Sequence, residues 1–387
     1  MSLITPRRAL IGAATAGIVL ASQPSLIASP ALILPSAVAE QLERRGVVEP
    51  HRRMPDIDNV MAMLMMAKMS GMLSGDSGPV ALRPQDVFAT SLYTGDGTSR
   101  TITTGVNMSA AGGLTWIKTR SGTEPHVLFD TVRGAGNSLT SDSTGASDNT
   151  ANRLTAFGAA GFDLGTDPIS AQVNGAGRTY VAWSFRRAPK FFDVVTYTGN
   201  GTSGRTIAHG LGVAPGMIAV KCTSATSDWS VYHRSNGPTG CQLWNTTNGF
   251  VSDSTQWNNT SPGSTTFTVG SGTETNQNGA TYVAYLFAHD TAANGLVQCG
   301  TFGSSAVTLG WNPQFLLLKN AGSASDWYML DTARDLSDGG FTSENALFAN
   351  NSGAEQASDY ARLTGGGFTA ANLGFTIGVY LAIRAPV

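Results

Sequence analysis

Short apolar runs that end in a lysine recur three times along the chain, as Ile117-Lys118, Val220-Lys221 and Leu318-Lys319. A tyrosine follows each lysine after 61 or 62 residues (Tyr180, Tyr282, Tyr380), and an acidic residue or a histidine follows it after 12 (Asp130, His233, Asp331). The lysines stand 103 and 98 residues apart. Offsets kept over units of about 100 residues predict tandem domains, each with its own core. Three similar modules favour a protein that displays or extends a surface over one that performs chemistry.

Within each repeat, short apolar or alternating segments are separated by glycine-rich turns, which predicts β-strands. No convincing amphipathic helix follows residue 85, so we predict a mainly β protein of tandem sandwich-like or jelly-roll-like modules. We define module 1 as residues 85–189, module 2 as 190–290 and module 3, the most divergent, as 291–387. The joints between them are short, so we expect the modules to sit close together, as a stiff rod or a cluster.

Residues 1–53 differ from the rest and are predicted to form an extended apolar tail that acts as an anchor. Arg7-Arg8 precedes the apolar stretch 9–21, and Ala37-Val38-Ala39 follows, which together resemble a twin-arginine secretion signal. The apolar run is interrupted too early to favour a membrane span. We favour a retained tail buried in a larger assembly, with export as the alternative.

Residues 54–84 are predicted to form a methionine-rich helix followed by a flexible linker. Six apolar residues fall on one face at helical spacing: Ile57, Met61, Leu64, Met65, Met69 and Met72. A short helix that is apolar nearly all round requires burial, and methionine fills irregular contacts well. We interpret this face as an assembly or docking surface. A core helix packed on its own domain is the alternative.

The low content of charged residues argues against a nucleic-acid-binding function. Charged residues make up 13% of the chain and the net charge is −2, which gives no electrostatic case for nucleic-acid binding. The three cysteines, Cys222, Cys241 and Cys299, form no CxxC pair, so a zinc site is not indicated. Cys222 and Cys241 either pair or remain free thiols.

No motif in the chain leads us to predict a catalytic, cofactor-binding or metal-binding residue. The segment Gly199–Gly204 fits GxGxxG, but a strand instead of a helix follows, so we predict a hairpin turn. The recurrent lysines are expected either to cap a loop or to pair with a carboxylate. The spacing of Asp142, Asp148, Asp163 and Asp167 matches no standard calcium loop.

Aromatic residues within polar segments are the candidates for ligand contact. Trp257 precedes Asn258-Asn259, and Trp244 precedes Asn245 and two threonines. A tryptophan beside amides suits stacking on a sugar ring and bonding of its hydroxyls. We therefore take Trp257, Trp244, Asn258 and Asn259 as candidate glycan or receptor contacts. Packing within a module or between subunits is the alternative, and for Trp229 with its counterpart Trp327 it is the preferred interpretation.

The segments Tyr197-Thr198-Gly199-Asn200-Gly201 and Thr206–Lys221 resemble a repeat common in virion proteins of tailed bacteriophages, notably fibres. Module 1 resembles the same repeat at Trp116-Ile117-Lys118, at Phe129–Gly134 and at Gly161–Gly165. The resemblance covers residues 85–290 well and 291–387 loosely, because module 3 lacks the Tyr-Thr-Gly turn. It implies a structural virion role and host contact, and it carries no catalytic residues.

These observations together predict a non-enzymatic fibre or appendage subunit of a phage particle, on either the head or the tail. We expect a homo-oligomer, with a trimer favoured, that contacts other virion proteins and a host-surface glycan or protein, and that needs no cofactor. One alternative is an exported bacterial adhesin that carries the twin-arginine-like signal. Others are a capsid-decoration or head-fibre protein, and a glycan-degrading tailspike, which would need paired carboxylates in one groove.

Overall fold

The computed structural model describes residues 82–168, 170–339, 344–370, 373, 375 and 377–386. Leu82–Val387 forms one compact unit. The predicted apolar tail and the helical face made of Ile57, Met61, Leu64, Met65, Met69 and Met72 lie outside the described residues. Within those residues the protein is mainly β, as the sequence predicts, and its few helices are single turns: α1 Pro84–Val87, α2 Met108–Ala111, α3 Ser254–Trp257, α4 Thr273–Asn276 and a 3-10 turn at Thr332–Arg334.

The described part of module 1 contains nine strands: β1 Phe88–Thr94, β2 Arg100–Thr103, β3 Gly113–Thr119, β4 Val127–Asp130, β5 Asn137–Thr140, β6 Asp148–Asn149, β7 Leu154–Phe157, β8 Gly161–Leu164 and β9 Thr179–Arg186. Six of them form an antiparallel sheet in the order β1-β9-β3-β4-β5-β6. The other three form a small sheet in the order β2-β8-β7.

Module 2 repeats this arrangement with strands β10 Phe192–Thr198, β11 Arg205–Ala208, β12 Pro215–Cys222, β13 Ser230–His233, β14 Gly240–Leu243, β15 Val251–Ser252, β16 Thr266–Val269 and β17 Thr281–Ala288. Its six-stranded sheet has the order β10-β17-β12-β13-β14-β15, and β11 pairs with β16. The first and last strands of the module are therefore neighbours, as in module 1.

In module 3 the described strands are β18 Val297–Phe302, β19 Val307–Thr308, β20 Pro313–Asn320, β21 Trp327–Asp331, β22 Glu344–Phe348, β23 Gln356–Ser358, β24 Ala361–Leu363, β25 Gly367–Ala370 and β26 Gly378–Arg384. The sheet order is β18-β26-β20-β21-β22-β23, with a small sheet β19-β25-β24. The module that diverges most in sequence thus keeps the same strand order.

The lysine-ended apolar runs are the strands β3, β12 and β20. Each lies between the last strand of its module and the strand that follows it in sequence, and every residue of all three strands is buried. A strand covered on both faces has no solvent side, so apolar residues stand at successive positions, as in Trp116-Ile117, Met217–Val220 and Phe315–Leu318, instead of alternating with polar ones.

The glycine-rich turn Gly199–Gly204 joins two different sheets, so the prediction of a hairpin is wrong. It connects β10, which pairs with β17, to β11, which pairs with β16. The side chain of the buried Asn276 holds this crossing: its Nδ2 donates to the carbonyls of Thr202 and Gly270 (2.9 and 2.7 Å), and its Oδ1 accepts from the Asn200 N–H. Strands adjacent in sequence pair often but not always, and here the chain changes sheet instead.

The three modules close a ring. One backbone hydrogen bond recurs at each junction: Ser147 N to Thr223 O (2.9 Å), Phe250 N to Ala321 O (2.8 Å) and Glu355 N to Arg120 O (2.9 Å). The acceptor residue is in each case the second after the recurrent lysine, so the contacts are equivalent. They run from module 1 to 2, from 2 to 3 and from 3 back to 1. We call these junctions seam 1–2, seam 2–3 and seam 3–1. A head-to-tail contact that returns to its start after three units defines approximate threefold symmetry.

The main hydrophobic core lies between the modules. The largest buried cluster combines Trp116 and Trp183 of module 1, Trp229 and Trp244 of module 2, and Trp327 of module 3 with many aliphatic side chains. Modules 1 and 3 have smaller clusters of their own. The prediction that each module has its own core is therefore incomplete, because the modules share their largest one. The sequence left open whether the modules form a stiff rod or a cluster, and in the structure they form a cluster.

Candidate functional site

Trp244 and Trp257, the two candidate glycan-stacking residues, are both core residues. Trp244 is 0% exposed and meets Trp116 and Trp229 edge to face, with ring centroids 4.9 and 5.4 Å apart. Trp257 is 1% exposed and packs against Tyr232 and Phe267. A sugar ring cannot stack on a face that protein already covers, so the prediction of glycan contact by these two rings is wrong and the packing alternative holds.

Asn258 and Asn259 form a left-handed turn after α3, with φ of 52° and 48°. Asn258 accepts a hydrogen bond from the Ser203 hydroxyl at 2.7 Å, which ties this turn to the Gly199–Gly204 crossing. Asn259 is exposed. Asparagine tolerates this backbone region better than most residues, which accounts for the pair. A receptor contact by these amides stays a prediction.

The recurrent lysines cap loops, and for two of them the loop belongs to the preceding module. Lys221 Nζ donates to the Thr144 carbonyl (3.1 Å) and Lys319 Nζ to the Thr247 carbonyl (2.9 Å). Lys118 Nζ instead donates within module 1, to the carbonyls of Thr119 and Gly122. Burial lowers the pKa of all three ammonium groups to about 8.

The residues eight positions after Lys221 and Lys319 also lie at seams. Trp229 Nε1 donates to the Thr140 carbonyl of module 1 (2.9 Å), and Trp327 Nε1 donates to the Leu243 carbonyl of module 2 (3.0 Å). The equivalent residue of module 1 is His126, which accepts from Trp116 Nε1 through Nδ1 (3.0 Å). Burial holds the His126 pKa well below its usual range, so this imidazole is neutral at pH 7.

The residue twelve positions after each lysine receives an aromatic or backbone group from another module. Asp130 accepts from the Tyr285 hydroxyl of module 2 (2.8 Å), and Asp331 accepts from Trp183 Nε1 of module 1 (2.9 Å). His233 meets the Tyr380 carbonyl of module 3 (3.0 Å), and burial lowers its pKa to about 4. Histidine at this position therefore keeps the seam contact without an acid.

Both aspartates are neutralised by an arginine three residues later. Arg133 Nε lies 2.5 Å from Asp130, and Arg334 Nη2 lies 2.7 Å from Asp331. Arg334 also covers the Trp183 ring, with 5.1 Å between its Cζ and the ring centroid. Breaking a buried pair leaves an uncompensated charge, so these pairs hold the seams in one arrangement.

The three seams differ in the side chains beside the recurrent backbone hydrogen bond. Ser147, Phe250 and Glu355 are equivalent because each donates that bond through its N–H. At seam 2–3 the Phe250 ring lies directly over Gly240. At seam 3–1 the Arg120 guanidinium grips Glu355 through both carboxylate oxygens. Seam 1–2 has only the small side chains of Ser147 and Thr223 there. An open cleft of about 300 Å³ remains at this seam, lined by Arg133, Asn137, Ser147, Thr196, Thr223, Thr281 and Tyr282.

The cleft is polar and carries little net charge. Arg133 lies at its base, with Nε on Asp130, Nη1 on the Ser147 hydroxyl, and Nη2 on the Leu128 carbonyl and the Tyr285 hydroxyl. A guanidinium has five N–H donors, so one hydrogen of Nη1 is left over. The exposed Thr196 and Thr281 add hydroxyl groups on the module 2 side. This shallow, open cleft is the candidate ligand site that the seam comparison brings out.

Sequence reasoning missed the cleft because the residues that line it are scattered from Arg133 to Tyr282 and no single motif unites them. Aligning modules 1 and 2 on their lysines places Ser147 opposite Phe250, each 29 residues after its lysine, whereas Glu355 follows Lys319 by 36 residues and is matched only by its backbone hydrogen bond. That contrast signals a site where the first seam is less filled than the others.

Two of the aspartates that were considered for a calcium loop, Asp163 and Asp167, form hydrogen bonds within module 1. Among the described residues, no three or more His, Cys, Asp or Glu side chains are grouped as they would be around a metal ion. Asp163 accepts from the Thr101 hydroxyl (2.6 Å), and Asp167 accepts from the Val173 N–H (2.8 Å). In the part of the chain that the structure describes, no helix has the length and apolarity to span a membrane.

All three cysteines are free and buried. Burial raises the pKa of Cys241 to about 11 and raises that of Cys299 further. Of the two alternatives left open by the sequence, Cys222 and Cys241 are therefore separate thiols. Both fill apolar space, and Cys241 and Cys299 stay protonated at neutral pH.

The fold and the cleft describe a ring of three antiparallel β-modules with a shared core. Residues 83–374 match the family described as a domain of unknown function, DUF7483, so the chain belongs to that family. The match begins just before α1, covers modules 1 and 2 and extends into module 3, where it ends before β26. No curated protein matches the chain.

Proposed function

We propose that this chain is a structural protein of a tailed-phage virion, a fibre or appendage subunit that is anchored by its N-terminal segment and displays its β-modules for contact with the host surface. In this proposal each module is a sandwich-like unit of one six-stranded sheet and one small sheet. The protein acts by binding and display, not by catalysis.

The observation that carries the proposal is that most of the recurrent residues form contacts between modules. Seven of the nine residues at the lysine, +8 and +12 positions hold one module against another, and the exceptions are Lys118 and His126, which bond within their own module. These are the residues that would otherwise be the first candidates for chemistry. Residues of this kind committed to seams support a rigid platform whose outer loops and rims remain available for binding. The likeness of modules 1 and 2 to fibre repeats supports the same conclusion.

Self-association stays part of the proposal, and we favour a homotrimer. The ring of modules closes within a single chain, so a second chain has to join through other surfaces. The methionine-rich face from Ile57 to Met72 is the surface we propose for it. The partners are other virion proteins at the base and a host-surface glycan or protein at the modules.

The decisive experiment locates the protein in purified particles. Peptides from residues 82–387 should co-purify with virions through a density gradient, and an antibody against the same residues should label one substructure. A phage genome that encodes the protein without residues 1–80 should yield particles lacking it. Normal incorporation of the shortened protein contradicts the anchoring role, and absence of the full-length protein from particles contradicts the proposal.

The exported adhesin remains the second candidate because of Arg7-Arg8 and the small residues near Ala39. It predicts a mature N-terminus near Glu40 and location on the bacterial envelope. N-terminal sequencing of the protein from its natural source separates the two, since the virion proposal requires peptides from the first 39 residues.

A further inference from the structure

We infer that the cleft at seam 1–2 binds one residue of a neutral, hydroxyl-rich saccharide. This inference rests on the proposed function, because it names the class of host-surface ligand and the place where it binds. It differs from the sequence prediction, which placed glycan contact on Trp244 and Trp257.

The chemistry of the lining favours a neutral ligand. Asp130 lies 2.5 Å from the Arg133 guanidinium and balances its charge, so the cleft has no unpaired cation to attract an acid. What the cleft offers is the exposed Thr196 hydroxyl, one Nη1 hydrogen of Arg133, and the Thr281 hydroxyl, which is hydrogen-bonded to Thr223 Oγ1 at 2.7 Å. Sugar hydroxyls both donate and accept, and they match a lining that supplies both kinds of group.

The size of the cleft favours a single sugar unit. A volume of about 300 Å³ lies at the lower end of the range of small-ligand pockets, roughly 300–1,000 Å³. The lining comes from two modules, so their relative position fixes the geometry of the site. The seam contacts of Trp229 and Tyr285 hold that position whether or not a ligand is present.

The other two seams serve as internal comparisons. Phe250 takes the position of Ser147 at seam 2–3, where its ring lies over Gly240, and Glu355 takes it at seam 3–1, where it pairs with Arg120. Module 1 has Asn137 where module 2 has Gly240, so a large side chain at position 147 would meet Asn137. Seam 1–2 instead has Ser147, and its small hydroxyl side chain leaves the space open.

The experiment is ligand-observed NMR on the full-length protein. The probes are D-glucose, D-galactose and N-acetyl-D-glucosamine, each alone, with the acidic sugar N-acetylneuraminic acid for comparison. We expect saturation transfer to at least one neutral sugar, with Kd on the order of 1 mM, as suits a single shallow contact. Saturation transfer to none of the neutral sugars, or stronger binding of the acidic one, overturns the inference.

Three variants locate the binding. Ser147→Phe copies the side chain of seam 2–3 into the cleft and should abolish saturation transfer. Thr196→Val keeps the strand and removes one hydroxyl, and it should weaken binding roughly three- to tenfold. Phe250→Ser alters the equivalent position of seam 2–3 and should leave binding at seam 1–2 intact. Unchanged binding in Thr196→Val, or in a folded Ser147→Phe protein, places the sugar elsewhere and overturns the inference.

The result is distinguishable from a failure of the proposed function. Virions that contain the protein, together with a cleft that binds none of the neutral sugars, leave the structural role standing and remove only the ligand assignment. Absence of the protein from virions removes the structural role regardless of sugar binding. Because Thr196 is exposed, Thr196→Val keeps the test decisive even if Ser147→Phe does not fold.

Discussion

The buried lysines make the stability of the ring depend on pH in an unusual direction. Lys118, Lys221 and Lys319 are all 0% exposed, and burial lowers their pKa from 10.5 to about 8. Between these values the unfolded chain binds more protons than the folded protein, so the free energy of unfolding rises with pH. From pH 7 to pH 9 the gain is at most about 4 kcal/mol for the three lysines together.

The thiols oppose this trend but are weaker. Burial raises the pKa of Cys241 from 9.0 to about 11, and that of Cys299 rises from the same value. The unfolded chain therefore loses thiol protons first, which lowers the free energy of unfolding as pH approaches 9, by less than about 1 kcal/mol for the two thiols together. The lysines dominate, and we expect a net gain of about 3 kcal/mol between pH 7 and pH 9.

Urea unfolding followed by tryptophan fluorescence at pH 7, 8 and 9 measures this gain as a rising midpoint. Lys319→Met should remove about one third of the lysine contribution. The matched control is Lys190→Met, because the Lys190 side chain is 62% exposed and the change should leave the pH dependence as it is. A midpoint that is flat or falls between pH 7 and pH 9, or the same pH dependence in Lys319→Met as in the wild type, refutes the reasoning.

Three further predictions concern the core, the sheet crossing and the thiols. Trp244→Ala opens a cavity in the shared core and should lower the free energy of unfolding, measured by urea titration, by about 3–5 kcal/mol. A loss below about 1 kcal/mol would show that the stability of the ring does not depend on that core. Asn276→Ala removes three hydrogen bonds from the Gly199–Gly204 crossing and should lower the free energy of unfolding by about 1–3 kcal/mol. Amide hydrogen exchange should become faster in the crossing while β10 stays protected. Equal exchange rates in the variant and the wild type would contradict this role of Asn276. A thiol reagent such as 5,5′-dithiobis(2-nitrobenzoic acid) should label none of the cysteines in the folded protein and all three in urea, and rapid labelling without denaturant would contradict their burial.

Local sequence pattern carries enough information for the strands and the repeat. The three lysine-ended runs can be recognised as central strands because a strand covered on both faces has apolar residues at successive positions. The fixed offsets to Asp130, His233 and Asp331 also mark equivalent positions in three copies of one sheet. These features depend on neighbouring residues or on repetition, and both can be read from a single chain.

The ring and its cleft depend on contacts between distant parts of the chain. Trp244 stands among asparagine and threonine, which indicates an exposed loop, yet its burial comes from Trp116 in another module. The Gly199–Gly204 turn reads as a hairpin because nothing near it in the sequence shows that β10 and β11 join different sheets. The cleft is defined by what Ser147 leaves unfilled, which becomes visible only when Phe250 and Glu355 are set beside it.

Closure of the ring at seam 3–1 has a consequence for how the protein is made. Arg120 and Glu355 are 235 residues apart, and Trp183 meets its partner Asp331 after 148 residues. At 5–20 residues per second, the ribosome needs roughly 10–30 s after completing module 1 to supply the last seam. During that time the module 1 side chains that will pack against module 3, such as Trp183, lack their final partners. We therefore expect chaperones or module 2 to shield this apolar surface until translation ends.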